Sequence, residues 1–68
     1  MRISAQSVRP GWRAMVNGMG LREVDSVELC DDLILPVVAI YFKNGRPDGG
    51  TFPQFFGPME EIEVEAIT

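Results

Sequence analysis

Asp31-Asp32-Leu33-Ile34-Leu35-Pro36-Val37-Val38-Ala39-Ile40-Tyr41-Phe42-Lys43, followed by Asn44-Gly45-Arg46-Pro47-Asp48-Gly49-Gly50-Thr51, is the stretch on which the fold turns. An apolar, β-branched run with turn residues at each end reads as a central strand between two hairpins. Alternation puts Ile34, Val38, Ile40 and Phe42 on one face and Leu33, Leu35, Val37 and Tyr41 on the other. A strand with one solvated face is apolar only on the side it buries, so the second apolar face here needs cover. Pro36 has no N–H to give a ladder and is expected at a gap, a bulge or an edge.

Toward the N-terminus, Met19 to Cys30 reads as the partner strand. Val24, then Val27 and Leu29, break strict alternation, which predicts a β-bulge near Asp25-Ser26 and a bend in the strand. Asn17-Gly18 is a two-residue hairpin signal. It closes onto a strand from Trp12 to Val16, with Trp12, Ala14 and Val16 on one side. Val8-Arg9-Pro10-Gly11 predicts a bend, and Ile3 and Ala5 alternate with Arg2 and Ser4 in a first short strand.

Toward the C-terminus, residues 44–50 are expected to form one long loop. A two-residue turn at Asn44-Gly45 would leave Pro47 and the glycine pair inside a strand. Thr51 to Phe56 follows as a strand weakened by Pro53, and Gly57-Pro58 stops it. Ile62, Val64 and Ala66 then alternate with Glu61, Glu63 and Glu65, a half-buried strand. No segment of ten or more residues has helical spacing. The expectation is an all-β domain, a small antiparallel barrel of five to six short strands, since closure removes exposed edges.

At 68 residues the chain makes a single domain, of a size that buries only about 60% of its unfolded surface. Cys30 is the lone cysteine and there is no histidine, so neither an internal disulfide nor a zinc site can reinforce it. A tight apolar core or self-association is left, and the two-faced central strand favours self-association as a homodimer.

Charge is divided along the chain. Residues 1–22 hold four arginines and no acid, whereas residues 23–68 hold all ten acids against Lys43 and Arg46. Two ends of opposite sign are expected to pair in one sheet. A net charge of -4 is poorly suited to non-specific grip on nucleic acid. The apolar run Leu33 to Phe42 is too short to span a bilayer, and the N-terminus has no apolar signal segment. A single thiol without a disulfide framework fits the cytoplasm.

Nothing in the chain specifies a reaction, and a non-enzyme without cofactor or metal is expected. The commonest general base, histidine, is missing. Cys30 lies among Glu28, Asp31 and Asp32, whose charges oppose a thiolate. Asp31-Asp32 lacks the spaced ligands of a calcium loop. Glu60, Glu61, Glu63 and Glu65 have no cleft in which one could be held protonated. Gly45, Arg46, Gly49 and Gly50 lead into Thr51-Phe52-Pro53 and not into a phosphate-binding helix terminus.

The stretch Val8-Arg9-Pro10-Gly11-Trp12-Arg13-Ala14-Met15-Val16-Asn17-Gly18-Met19-Gly20, with Val24 and Val27 after it, resembles the opening of SH3-like barrels, in particular the KOW-type pattern. There a Pro-Gly bend starts a strand that ends in a glycine-bearing hairpin. The resemblance covers roughly the first 30 residues. Where KOW domains usually place an acid after the glycine, this chain has Trp12, and the basic loops of the RNA-binding members are absent. It implies an SH3-like fold. Size and texture also resemble short accessory proteins of bacteriophages and actinobacteria.

Two surfaces are candidates for function. Phe55 and Phe56 are adjacent, so in an extended segment one must point away from the core. With Leu35, Val37 and Tyr41 it would form an apolar patch for a protein partner, a second copy or a host protein. The alternative is a nucleic-acid-binding KOW-type barrel using Arg9, Trp12, Arg13 and Arg22, with Trp12 stacking on a base.

Overall fold

The computed structural model describes residues 1–31 and 34–65. Six strands form: β1 (Arg2–Ser4), β2 (Arg13–Val16), β3 (Gly20–Cys30), β4 (Val37–Lys43), β5 (Thr51–Phe56) and β6 (Glu61–Glu65), with a 3-10 turn at Ala5–Ser7. All pairings are antiparallel, in one sheet ordered β1-β6-β2-β3-β4-β5. The all-β expectation holds. Asp32, Leu33 and Ala66 lie outside the described residues, and with them the Asp31-Asp32 turn.

The two ends of the chain do meet. β6 lies between β1 and β2, pairing Arg2 with Glu63 and Ser4 with Glu61 on one side and Arg13 with Glu65 on the other. Its glutamates take the cations of the N-terminal segment: Glu61 with Arg2 at 4.0 Å, Glu63 with the N-terminal ammonium at 3.3 Å, Glu65 with Arg13 at 3.9 Å. All are exposed, so each contributes little to stability. What they favour is register, since a one-residue slip would set Arg2 opposite Ile62 or Val64 in place of Glu63.

Alternation builds the interior. Ala14 and Val16 of β2, Val24 of β3, Val38, Ile40 and Phe42 of β4, and Ile62 and Val64 of β6 are buried in one cluster with Ala5 and Val8. Ile3, Trp12, Val27, Phe52 and Phe56 pack against it. Because the cluster draws on β1 and β5, the two ends of the strand order, the sheet coils around one interior. The coil has a visible cause in β3, whose register shifts between Val24 and Ser26, where the sequence places its bulge.

The loop over 44–50 forms as expected. Lys43 pairs with Thr51, and the Asn44 N–H donates to the Gly50 carbonyl at 3.0 Å. Inside it, Asn44 Oδ1 accepts from the Arg46 N–H at 2.7 Å, and Asp48 Oδ1 from the Gly50 N–H at 3.0 Å.

Two expectations need correction. The β2–β3 hairpin turns at Asn17-Gly18, but its connection has three residues, since Val16 pairs with Gly20. A two-residue type I′ turn needs positive φ at both central positions. Here only glycines take it, Gly18 at φ 80° and Gly20 at φ 76°. Second, Ile34 does not join Val38, Ile40 and Phe42 on the inner face. It sits in a bend and is fully exposed, and β4 begins only at Val37. Pro36, without an N–H, stands immediately before the ladder, so pairing cannot extend back through it.

Candidate interaction face

The outward side of the sheet divides in two. On β1, β6, β2 and the first part of β3 it carries Arg2, Glu61, Glu63, Glu65, Arg13 and Glu23, with Met15 and Leu21 exposed among them; Arg2 pairs with Glu61 and Arg13 with Glu65. On β4 the outward residues are Val37, Ala39 and Tyr41 before Lys43; on β5 they are Thr51, Pro53 and Phe55. This second half presents apolar groups with Glu28 and Lys43 at its margins.

β5 is extended, which resolves the adjacent phenylalanines. Phe56 turns inward and packs against the core, while Phe55 is 65% exposed. Phe55 pairs across the ladder with Ala39, and Pro53 with Tyr41. Ala39 is 1% exposed although it points outward and is not part of the interior cluster. Across the ladders it lies between Glu28 and Phe55, on one platform with Val37 and Tyr41. Val37 and Tyr41 are half-buried in that platform. Leu35, 76% exposed, lies off the ladder in the bend before Pro36, at the platform's end. Of the five residues expected to make an interaction patch, Val37, Tyr41 and Phe55 share a face, Leu35 adjoins it, and Phe56 belongs to the core.

The β5 edge bears on how anything could dock. The Gly50 carbonyl points to β4, so by alternation Phe52, Gln54 and Phe56 direct their backbone groups toward β4. Pro53 therefore occupies an outward position, where its missing N–H interrupts the row of donors. Pro53→Thr restores that donor. It is expected to yield larger, concentration-dependent species in light scattering, and a profile identical to the parent would refute this reading of the edge.

The arginine group does not assemble. Arg13 points outward to Glu65, whereas its strand neighbours Trp12 and Ala14 turn to the core. Arg22 pairs with Ala14 on the inner side and is half-buried. Its Nε is enclosed with no hydrogen-bond partner among the described residues. Arg9 is exposed in the bend. Arg9, Trp12, Arg13 and Arg22 thus do not share one surface.

One pair spans the boundary between the two halves. Lys43 Nζ stands 2.7 Å from a Glu23 carboxylate oxygen across β3 and β4. The hydrogen bond from Lys43, and then its charge, lower the Glu23 pKa; the same two effects from Glu23 raise that of Lys43. The Glu23 contribution is complete above its unfolded pKa and is lost as pH falls through the folded value. The Lys43 contribution is complete below its unfolded pKa and is lost as pH rises through the folded value. Both side chains are well exposed, so the effect on stability is small. In an NMR titration, the Glu23 carboxyl should have a midpoint below that of an ordinary glutamate, and Lys43→Ala should return it upward. No change in that variant would contradict the pairing.

A groove of about 390 Å³ opens where β2 and β6 separate, with Phe56 and Gln54 of β5 at its wall. Its acids are already engaged, Glu61 by Arg2, Glu63 by the N-terminal ammonium and Glu60 by the Gly57 N–H. Among the described residues no three His, Cys, Asp or Glu side chains gather as metal ligands, and no helix is long and apolar enough to cross a membrane. No protein-family model, curated protein or solved structure matches this chain.

Proposed function

We propose that this chain is a non-catalytic protein-interaction module built as a small SH3-like barrel, docking through the outer face of β4 and β5. It would act as a short accessory protein, of the kind found in phages and bacteria, in the cytoplasm. The observation that carries the reading is the division of the sheet's outer surface. One half carries the ion pairs, with Met15 and Leu21 exposed among them; the other has no charged outward residue from Val37 to Tyr41 or from Thr51 to Phe55, and Phe55 stands out from it. Contiguous apolar exposure rimmed by polar groups is the signature of a partner surface, and aromatic residues dominate such contacts.

Capture from a bacterial lysate tests it, comparing the parent with Phe55→Glu. Proteins retained by the parent and lost with the variant support the reading; identical retention counts against it. The nucleic-acid alternative would replace it if labelled RNA bound with a steep loss on added salt and if Arg13→Ala abolished the binding.

A further inference from the structure

We infer that Asn17 is a modification site: the Asn17-Gly18 link in the β2–β3 connection loses ammonia without an enzyme, whereas the equivalent links in the 44–50 loop are held intact by the fold. The backbone nitrogen of Gly18, once hydroxide has removed its proton, attacks Cγ of Asn17. An N–Cγ bond forms and the Cγ–Nδ2 bond breaks. Nδ2 takes a proton from water and leaves as ammonia, which closes a five-membered imide. Water then opens the ring at either carbonyl, giving aspartate or isoaspartate, and nothing is oxidised or reduced. The step needs an amide that can turn and a following N–H that is uncommitted. It is fastest where that next residue has no Cβ to hinder the nitrogen, which is glycine.

The chain offers that chemistry at Asn17-Gly18, Asn44-Gly45 and Asp48-Gly49, the last losing water in place of ammonia. Folding separates them. Asn44 is half-buried; its Oδ1 accepts from the Arg46 N–H at 2.7 Å and its Nδ2 donates to Asp48 Oδ1 at 3.5 Å. A Cβ on Gly50 would stand 2.6 Å from that Nδ2, so the amide is packed on this side as well. Asp48 Oδ1 accepts from the Gly50 N–H and the Gly49 N–H donates to the Arg46 carbonyl, both at 3.0 Å, so both reacting groups are committed. Asn17 is exposed, and among the described residues neither its side chain nor the Gly18 N–H has a hydrogen-bond partner. The turn closes one residue further on, from the Met19 N–H to the Val16 carbonyl at 2.9 Å. A Cβ on Gly18 would meet nothing within 4 Å, so hydroxide and water reach the link. Asn17 also belongs to the wall of the groove, with Glu60, Glu61 and Glu63. Conversion adds a carboxylate to that wall and, as isoaspartate, lengthens the backbone by a methylene in the turn that sets the β2–β3 register.

Incubation of the whole chain in mildly alkaline buffer at body temperature, followed by intact mass and peptide mapping, tests the inference. The protein should become one mass unit heavier and one charge more acidic, and the change should map to Asn17 as a mixture of aspartate and isoaspartate. While the chain is folded, Asn44 should convert about tenfold more slowly than Asn17, because its hydrogen bonds must break first. In urea the two rates should converge. Mildly acidic buffer should slow both, since hydroxide generates the nucleophile. Asn17→Gln, whose side chain would have to close a six-membered ring, should lose the early mass gain with an unchanged circular dichroism spectrum. Conversion of Asn44 as fast as Asn17 in the folded protein overturns the inference. So does an Asn17 that stays intact under conditions that convert the chain in urea, or the same early mass gain in Asn17→Gln.

Discussion

Phe42→Ala is expected to cost the domain about 3–5 kcal/mol of stability. Phe42 is 0% exposed at the middle of the ladder, between Val24 on β3 and Phe52 on β5. Its ring stacks on Phe52 with centroids 5.7 Å apart. Truncating a buried phenylalanine costs about 3–5 kcal/mol, from lost transfer energy plus the cavity left behind. A domain of this length has a total stability of roughly 3–10 kcal/mol, so one substitution removes from about a third to all of it. Phe42→Leu should cost clearly less, because it keeps most of the volume. Urea titrations followed by circular dichroism measure both. A loss below about 1 kcal/mol for the alanine variant would mean that the Phe42–Phe52 layer is not the core's centre. The same variant bears on function: β4 presents Val37, Ala39 and Tyr41 outward only because Val38, Ile40 and Phe42 hold its other side inward.

That two-sided strand was the most legible part of the chain. Alternation placed β2, β5 and β6 to within a residue or two, and the break after Val24 located the bulge. Pro47 with Gly49-Gly50 correctly indicated the long loop, since neither suits a ladder. Opposite charges at the two ends pointed to their pairing. The position of β6 between β1 and β2 was not legible, because strand order depends on which distant edges the coil brings together. Ile34 misled for a different reason. Periodicity reads a side chain's parity but does not show where pairing stops, and Pro36 stops it. Ala39, small and outward, gave no sign that it would be buried. Phe55 and Phe56 could be separated only once β5 was known to be extended.

Arg22 carries the second large prediction: Arg22→Met should stabilise the domain. The nucleic-acid alternative grouped it with Arg9, Trp12 and Arg13. The ladder turns it inward beside Ala14, which is 0% exposed, and its Nε is enclosed without a hydrogen-bond partner among the described residues. Its far end lies under the 44–50 loop, where a Cβ on Gly45 would stand 3.2 Å from Arg22 Nη1. Leaving a polar group enclosed and unpaired costs about 1–3 kcal/mol. Methionine retains the length of the stem and suits an irregular gap. A gain of about 1 kcal/mol would raise the melting temperature by about 4–8 °C in a domain of this size. Arg22→Ala, which removes the stem as well, should gain less or lose stability, so the pair separates the cost of the guanidinium from the value of the packing. Thermal melts of the two variants beside the parent decide it. A fall in melting temperature for Arg22→Met would show that the guanidinium stabilises the loop above it, and the enclosed nitrogen would then not be a net cost.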